Sequence, residues 1–233
     1  QLDRERIKTL TNRNIKFIGN LKLSSGSNIQ QISLDKKLIN FQNSKTLMLA
    51  STHENEEIQF LPIIKRLLLQ VDNLKIIIAP RHPERSKTIQ LIYQKSGIST
   101  KLMSDNDYAN DDVLIVNTFG NLPAYFNISD IVFLGGSFVS KGGHNPIEPA
   151  INNCVIITGP HMYNWQNIYE DMLGNNACFV FNKISLLEKK IKKLFEDNNE
   201  MDKMKENSKK VAQRNFFDSS ELTNIIKNIL EVS

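Results

Sequence analysis

From Lys45 to Phe181 the chain alternates short apolar runs with longer segments whose apolar residues recur every three or four positions. The apolar runs are Thr46–Ala50, Lys75–Ala79, Asp112–Val116, Asp130–Leu134, Val155–Thr158 and Ala177–Phe181. They are rich in Ile, Val, Leu and Phe and lack a polar alternation, which predicts strands buried on both faces. Between them, Glu57–Gln70, Pro83–Ser96 and Tyr163–Leu173 have amphipathic helical spacing. This β-α-β-α order predicts an α/β fold, a doubly wound parallel sheet with helices on both sides.

Past Phe181 the alternation stops. Leu187, Ile191, Leu194 and Phe195 form one apolar helical stripe, and Leu222, Ile225, Ile226, Ile229 and Leu230 form another. Both read as core-facing, the second with docking against a missing partner domain as its alternative, and Asp218 with Glu221 gives the second a start signal. At the other end, Asp3–Asn12 predicts a short helix and Ile15–Ile18 a short strand ending at Gly19. Ser24–Asn43 is polar and without period, as a linker is. The expected organisation is therefore residues 1–20 as the tail of a preceding unit, 21–44 as linker, and 45–233 as one α/β domain with extra carboxyl-terminal helices. The chain begins at Gln1 without a methionine, which fits an excised piece of a longer protein. No internal repeat is present.

Composition narrows this picture only slightly. With 233 residues, 40% hydrophobic and 23% charged, the chain has enough material for a substantial core. Its net charge of +4 is mild, with the lysines mostly on late helical faces, which argues against a nucleic-acid partner. No apolar run approaches the roughly 18 residues that cross a bilayer, and no signal peptide is visible. Cys154 and Cys178 sit in or beside apolar runs without metal-ligand spacing, so they read as buried small hydrophobes.

In an open parallel sheet, ligands bind beyond the carboxyl ends of the strands. Polar motifs follow five of the predicted strands. After the first comes Ser51-Thr-His-Glu54, where Ser51 and Glu54 fit a capping box and the Ser51 hydroxyl is an alternative anion ligand. His53 beside the glutamates is a poor metal candidate, since no third ligand has suitable spacing. After the second, Pro80 stiffens Arg81, whose guanidinium suits a phosphate or carboxylate and whose structural alternative is a pair with Glu84. Arg85 reads as a surface pairing. After the third, Phe119, Gly120 and Asn121 offer a stacking ring and a permissive turn.

The fourth strand runs into Gly135-Gly136-Ser137 and Lys141-Gly-Gly143-His-Asn145-Pro146-Ile147-Glu148-Pro. Glycines there let backbone N–H groups approach an anion, and a helix opening at Asn145 would add its own amides. Ser137 and Lys141 are expected to face the same space, and Glu148 to accept ribose hydroxyls. His144 reads equally as a capping or packing residue. After the fifth strand, Gly159-Pro-His-Met-Tyr-Asn-Trp165 leads into a helix, with Trp165 read as packing.

Taken in order, Ser-Thr-His-Glu (51–54), Pro-Arg-His-Pro-Glu-Arg (80–85), Gly-Gly-Ser (135–137), Gly-Gly-His-Asn-Pro-Ile-Glu-Pro (142–149) and Gly-Pro-His-Met (159–162) resemble the Kdo transferases, the 3-deoxy-D-manno-octulosonic-acid transferases of lipopolysaccharide synthesis. Gly19-Asn-Leu-Lys22 resembles the junction between that family's two domains. The resemblance implies the carboxyl-terminal, Rossmann-like, donor-binding half of a GT-B glycosyltransferase, with CMP-Kdo as donor and a lipid A precursor as acceptor. It places the cytidine nucleotide on Pro80-Arg81, Phe119-Gly120-Asn121 and Asn145-Pro146-Ile147-Glu148. It also implies an inverting reaction without metal or cofactor. The general base, the acceptor site and any contact with the inner membrane, on its cytoplasmic face, would lie in an amino-terminal half, leaving no catalytic residue here.

The family reads Asp-Thr-Met-Gly-Glu-Leu where this chain has Asn117-Thr-Phe-Gly-Asn-Leu122, so two carboxylates are absent from that loop. The alternatives on the same architecture are another sugar-nucleotide transferase, an epimerase, or a non-catalytic nucleotide-binding module.

Overall fold

A computed structural model describes residues 2–11, 38–105, 110–120, 122–215, 223, 224 and 226–228. The chain divides into two compact units, residues 1–30 with 215–233, and residues 31–214. In the first, helix α1 spans Leu2–Lys8, where a short helix was predicted. The predicted strand at Ile15–Ile18, the junction motif and the Asp218–Glu221 start signal lie outside the described residues. Of the last apolar stripe only Ile226 is described, and it is 47% exposed.

The second unit carries a seven-stranded, wholly parallel sheet. Its strands are β1 (Lys45–Thr52), β2 (Leu74–Pro80), β3 (Thr100–Leu102), β4 (Val113–Ile115), β5 (Ile131–Leu134), β6 (Val155–Thr158) and β7 (Cys178–Val180), in the order β3-β4-β2-β1-β5-β6-β7. The doubly wound α/β expectation holds. Six strands lie where the apolar runs predicted them. The seventh, β3, was not anticipated, because three residues with a lysine at the centre carry almost no pattern.

Before the sheet, Leu38 and Phe41 are buried, Phe41 on the four-residue helix α2 (Ile39–Gln42). The Phe41 carbonyl accepts the Thr46 hydroxyl at 3.0 Å. Leu38 and Phe41, within the stretch read as linker, are therefore packed.

Alternate residues along each strand serve opposite faces. Leu47, Leu49, Ile76, Ile78, Ile131 and Phe133 share a core with α3 (Glu56–Gln70), α4 (Ser86–Lys95), α8 (Leu187–Glu196) and α9 (Asn198–Asn215). Phe60 of α3 meets Phe133 with ring centroids 4.5 Å apart. The stripe Leu187, Ile191, Leu194 and Phe195 is buried as predicted. Met48, Ile77, Val132 and Ile156 point the other way, with α5 (Leu122–Asn127), α6 (Ile147–Ile151) and α7 (Gln166–Gly174) following their strands on that side.

The chain leaves β1 towards β2 on one side and returns to β5 on the other. The carboxyl ends of β1 and β5 therefore flank the point where the winding reverses, the place where such sheets hold ligands. Both cysteines are free and buried, and burial pushes the Cys178 thiol up to about 12.

Candidate functional site at the carboxyl edge of the sheet

The end of β1 is irregular. Register with β2 shifts between Ala50 and Thr52, and the bulged Ser51 sits at φ 55. A left-handed serine is strained backbone, and strain of this kind gathers at ligand sites. Gly135 at the end of β5 is what permits it. A Cβ on Gly135 would stand 2.4 Å from the Ser51 carbonyl oxygen.

Ser51, Pro80, Arg81, Phe119 and Gly120 line one cleft of about 120 Å³ beyond β1, β2 and β4. These are five of the predicted ligand residues, brought together from three separate loops. Arg81 is exposed, with its N–H donating to the Thr52 carbonyl at 2.9 Å. Among the described residues its guanidinium has no ion pair. The anticipated partner Glu84 lies 3.6 Å from the His82 ring instead. Phe119 is 79% exposed at the rim. Asn117 is tied to Ser104 through both ends of its amide, at 3.1 and 2.8 Å. Asn121 lies outside the described residues.

The Ser51–Glu54 capping box does not form. Helix α3 begins at Glu56, and its preceding residue Asn55 (φ 74) makes no side-chain cap. The carboxylate at work is Glu56, fully buried. One of its oxygens accepts the N–H of His53 at 2.9 Å and of Gly136 at 2.8 Å. The other accepts Ser137 at 3.2 Å and Phe138 at 3.1 Å. Burial pushes its pKa up, opposed by those four amides. All four neighbours are donors, so a proton on this carboxyl would have no acceptor among them, and the geometry requires the ionised form.

This corrects two expectations for the glycine loop. The amides of Gly136 and Ser137, assigned to a ligand phosphate, are occupied by Glu56. The Ser137 side chain does not face the Lys141 space either. It is buried, donating to the Leu134 carbonyl at 2.6 Å and accepting the Gly159 N–H at 2.8 Å.

Sequence reasoning missed Glu56 because its partners are all backbone, which leaves no residue-type signature. The sole hint was an acid at a helix start following a strand. It also undervalued Arg85. That guanidinium grips the buried Glu57 carboxylate with two bonds, of 3.0 and 2.8 Å, while the Thr52 hydroxyl donates to the same carboxylate at 2.7 Å.

The rest of the loop is clamped from below. Gly143 N–H donates to the Gly136 carbonyl at 3.0 Å. Asn164 Nδ2 donates to Lys141 O at 2.9 Å, and the Tyr163 hydroxyl to Ser140 O at 2.8 Å. Gly142 (φ 87) and Gly143 (φ 69) both lie in the left-handed region. The helix that follows is α6, five residues beginning at Ile147 with Pro146 before it, rather than one opening at Asn145. Asn145 nonetheless organises its start, since Oδ1 accepts the Ile147 N–H at 3.0 Å and Nδ2 donates to Glu148 at 3.2 Å. Glu148 is thereby aimed along the same edge, half-buried. Lys141 is exposed.

Two histidines join the β1 loop to this one. His53 Nε2 and His144 Nε2 are 3.1 Å apart, and the rings stack at 12°. One nitrogen donates and the other accepts, so the pair holds a single proton between those atoms. Burial lowers the His144 pKa to about 4, with the charges of His53 and Arg81 adding to it. Burial likewise lowers His53, followed by His82, Lys141 and Arg81. The lesser contributions, from Arg81 to both rings and from Lys141 to His53, come from positive charges at this edge, which suit an anion. No group of three or more His, Cys, Asp or Glu placed to hold a metal occurs among the described residues.

Larger hollows lie elsewhere. One of about 380 Å³ opens between α3 and α4, but its arginine, Arg85, is already bound to Glu57. Another, of about 410 Å³, is at the amino ends of β2 and β4. Size does not select the site; an arginine without an ion pair among the described residues, at the carboxyl edge of the sheet, does.

No protein-family model matches the chain. The 3-deoxy-D-manno-octulosonic acid transferase of Rickettsia bellii is 35% identical over 219 residues, which cover 91% of this chain and 52% of the relative. A solved structure, the C-terminal CMP-Kdo binding domain of WaaA from Acinetobacter baumannii, is 27% identical with a TM-score of 0.69. That match covers 74% of this chain and 91% of the other. The chain is a homologue of the Kdo transferases. It spans about half the length of the curated relatives it matches. Anabaena HepE, solved with UDP-glucose, shares the fold at 14% identity and a TM-score of 0.58, over 84% of this chain and 51% of that one. The architecture is thus that of GT-B glycosyltransferase domains. No helix among the described residues is long and apolar enough to cross a membrane.

Proposed function

We propose that this chain is the donor-binding part of a Kdo transferase, holding CMP-Kdo for transfer to a lipid A precursor. The observation that carries the reading is Arg81, a cation without an ion pair among the described residues, placed beside Phe119 and Gly120 at the carboxyl edge of the sheet, beyond β1, β2 and β4. In this reading Arg81 and Lys141 take the phosphate, Glu148 accepts ribose hydroxyls, and the exposed Phe119 ring covers the base.

The acceptor hydroxyl gives its proton to a carboxylate in the part of the longer protein that this chain does not span. The freed oxygen attacks the anomeric carbon of Kdo from the face opposite the nucleotide. The bond to phosphate breaks, and CMP departs with its electron pair. Arg81 and Lys141 stabilise the charge that grows on that phosphate, which is this chain's contribution to the rate. No step calls for a metal or cofactor. The complete enzyme would work at the cytoplasmic face of the inner membrane, with its acceptor contacts in the other half.

Calorimetry with CMP tests the reading. Arg81→Ala should weaken binding by about 1.5–3 kcal/mol, roughly 10- to 150-fold, as removal of a charged hydrogen bond does. Unchanged affinity would remove Arg81 from the site. Tighter binding of UDP than of CMP would favour a different sugar-nucleotide transferase.

A further inference from the structure

The loop between β5 and α6 has the form of an anion-binding nest, yet its central amides are already in use. Three consecutive N–H groups, of Gly136, Ser137 and Phe138, converge on Glu56 together with the N–H of His53, at 2.8–3.2 Å. A left-handed residue at Gly136 (φ 66) turns them towards one point, as such concavities require. The space is dry and closed, since Glu56 and Ser137 are both fully buried. A phosphate cannot enter without displacing a carboxylate that belongs to the protein.

We propose that Glu56 is a positioning residue that fills this nest as an internal anion, fixing the glycine loop so that the donor phosphate is gripped outside it by the Arg81 and Lys141 side chains. Glu56 also fixes the histidine contact. Its bond to the His53 N–H sets the β1 loop, its bond to the Gly136 N–H sets the β5 loop, and Gly136 lies against both rings, where an added Cβ would come within 3.1 Å of His53 and 3.3 Å of His144. One carboxylate thus sets the relative place of the loop carrying His53 and the loop carrying Lys141 and His144. The phosphate half of this inference rests on the donor reading above; the nest itself does not.

Amide hydrogen exchange read residue by residue by NMR, with CMP calorimetry beside it, tests the proposal on the wild type, Glu56→Gln and Glu56→Asp. Glutamine keeps the shape but turns an NH2 group towards N–H donors, whereas aspartate keeps the charge on a shorter arm. In the wild type without ligand, the amides of Gly136, Ser137 and Phe138 should be protected, and saturating CMP should leave their exchange unchanged. Glu56→Gln should lose at least about tenfold of that protection and weaken CMP at least about tenfold, while strand amides in β1 and β2 keep theirs. Glu56→Asp should recover part of both.

Unprotected loop amides in the wild type, or equal protection in Glu56→Gln, would overturn the internal anion. Loss of protection with CMP affinity intact would overturn its positioning role. If CMP fails to bind the wild type, the donor reading and the phosphate half fall together, and the exchange data still decide the nest.

Discussion

At the residue scale, the site depends on backbone approaches that one methyl group would prevent. Gly135 lies beneath the bulged Ser51, and Gly159 lies against Ser137, each with a hypothetical Cβ 2.4 Å from a carbonyl oxygen. Gly135→Ala and Gly159→Ala should each cost about 2 kcal/mol or more of stability, read by urea denaturation. A cost within 0.5 kcal/mol, the range of an inert surface change, would contradict these contacts. The histidine pair gives a pH signature of definite sign. His144 falls from 6.5 to about 4 on folding, so the folded state favours the neutral ring. Its stabilisation is complete above pH 6.5 and is lost as pH falls from there towards 4. Wild-type melting temperature should drop over that window, and His144→Gln should flatten the drop. The sequence singled out the glycine loop and assigned Gly136 and Gly143 to a ligand, while His144 read equally as a capping or packing residue. What it could not show is that strand irregularity at Ser51 and backbone donors around Glu56 consume them locally.

At the element scale, legibility followed burial. β1, β2, β4, β5 and β6 are apolar because helices cover both faces, and that continuous apolar signal was readable, as it was in the edge strand β7, although Phe179 and Val180 there are only half-buried. β3 pairs with β4 alone and lies at the sheet edge, where Lys101 and a length of three residues suffice. Residues 38–42 looked like linker because three apolar residues, Leu38, Ile39 and Phe41, are too few to show a period. The positions of α3, α4, α7 and α8 were clear, whereas α9 was not predicted, because its buried face is only Met201, Met204, Ser208, Val211 and Ala212 in an otherwise polar run. Helix starts were not clear either, because neither α3 nor α6 has a Ser, Thr or Asp side-chain cap. The α3–α4 junction rests on the Arg85–Glu57 pair, whose acid is 2% exposed while the guanidinium is 25% exposed. Among the described residues, Arg85→Ala leaves that carboxylate with the Thr52 hydroxyl alone, and should destabilise by about 2–4 kcal/mol after allowance for partial exposure. The double variant Arg85→Ala/Glu57→Gln should recover part of the loss. If the double variant is worse than the sum of the single changes, the pair is not what holds this junction.

At the scale of the whole molecule, the winding order brings separate loops to one edge of the sheet, and the charge distribution selects that edge. Arg81 arrives from the end of β2, Lys141 from the loop after β5, and Phe119 from the loop after β4. None of these is close to another in sequence, and only the return of the chain across β1 brings them to the same edge. Of the two broader hollows, one holds an arginine already bound to Glu57 and the other lies at the amino ends of the strands. A crystal of this chain grown with CMP tests that account most directly. The phosphate should lie against the Arg81 guanidinium and the Lys141 ammonium, with Gly136, Ser137 and Phe138 still bonded to Glu56 and the base beside Phe119. CMP seated in the hollow between α3 and α4, or its phosphate on the Gly136–Phe138 amides with Glu56 displaced, would contradict it.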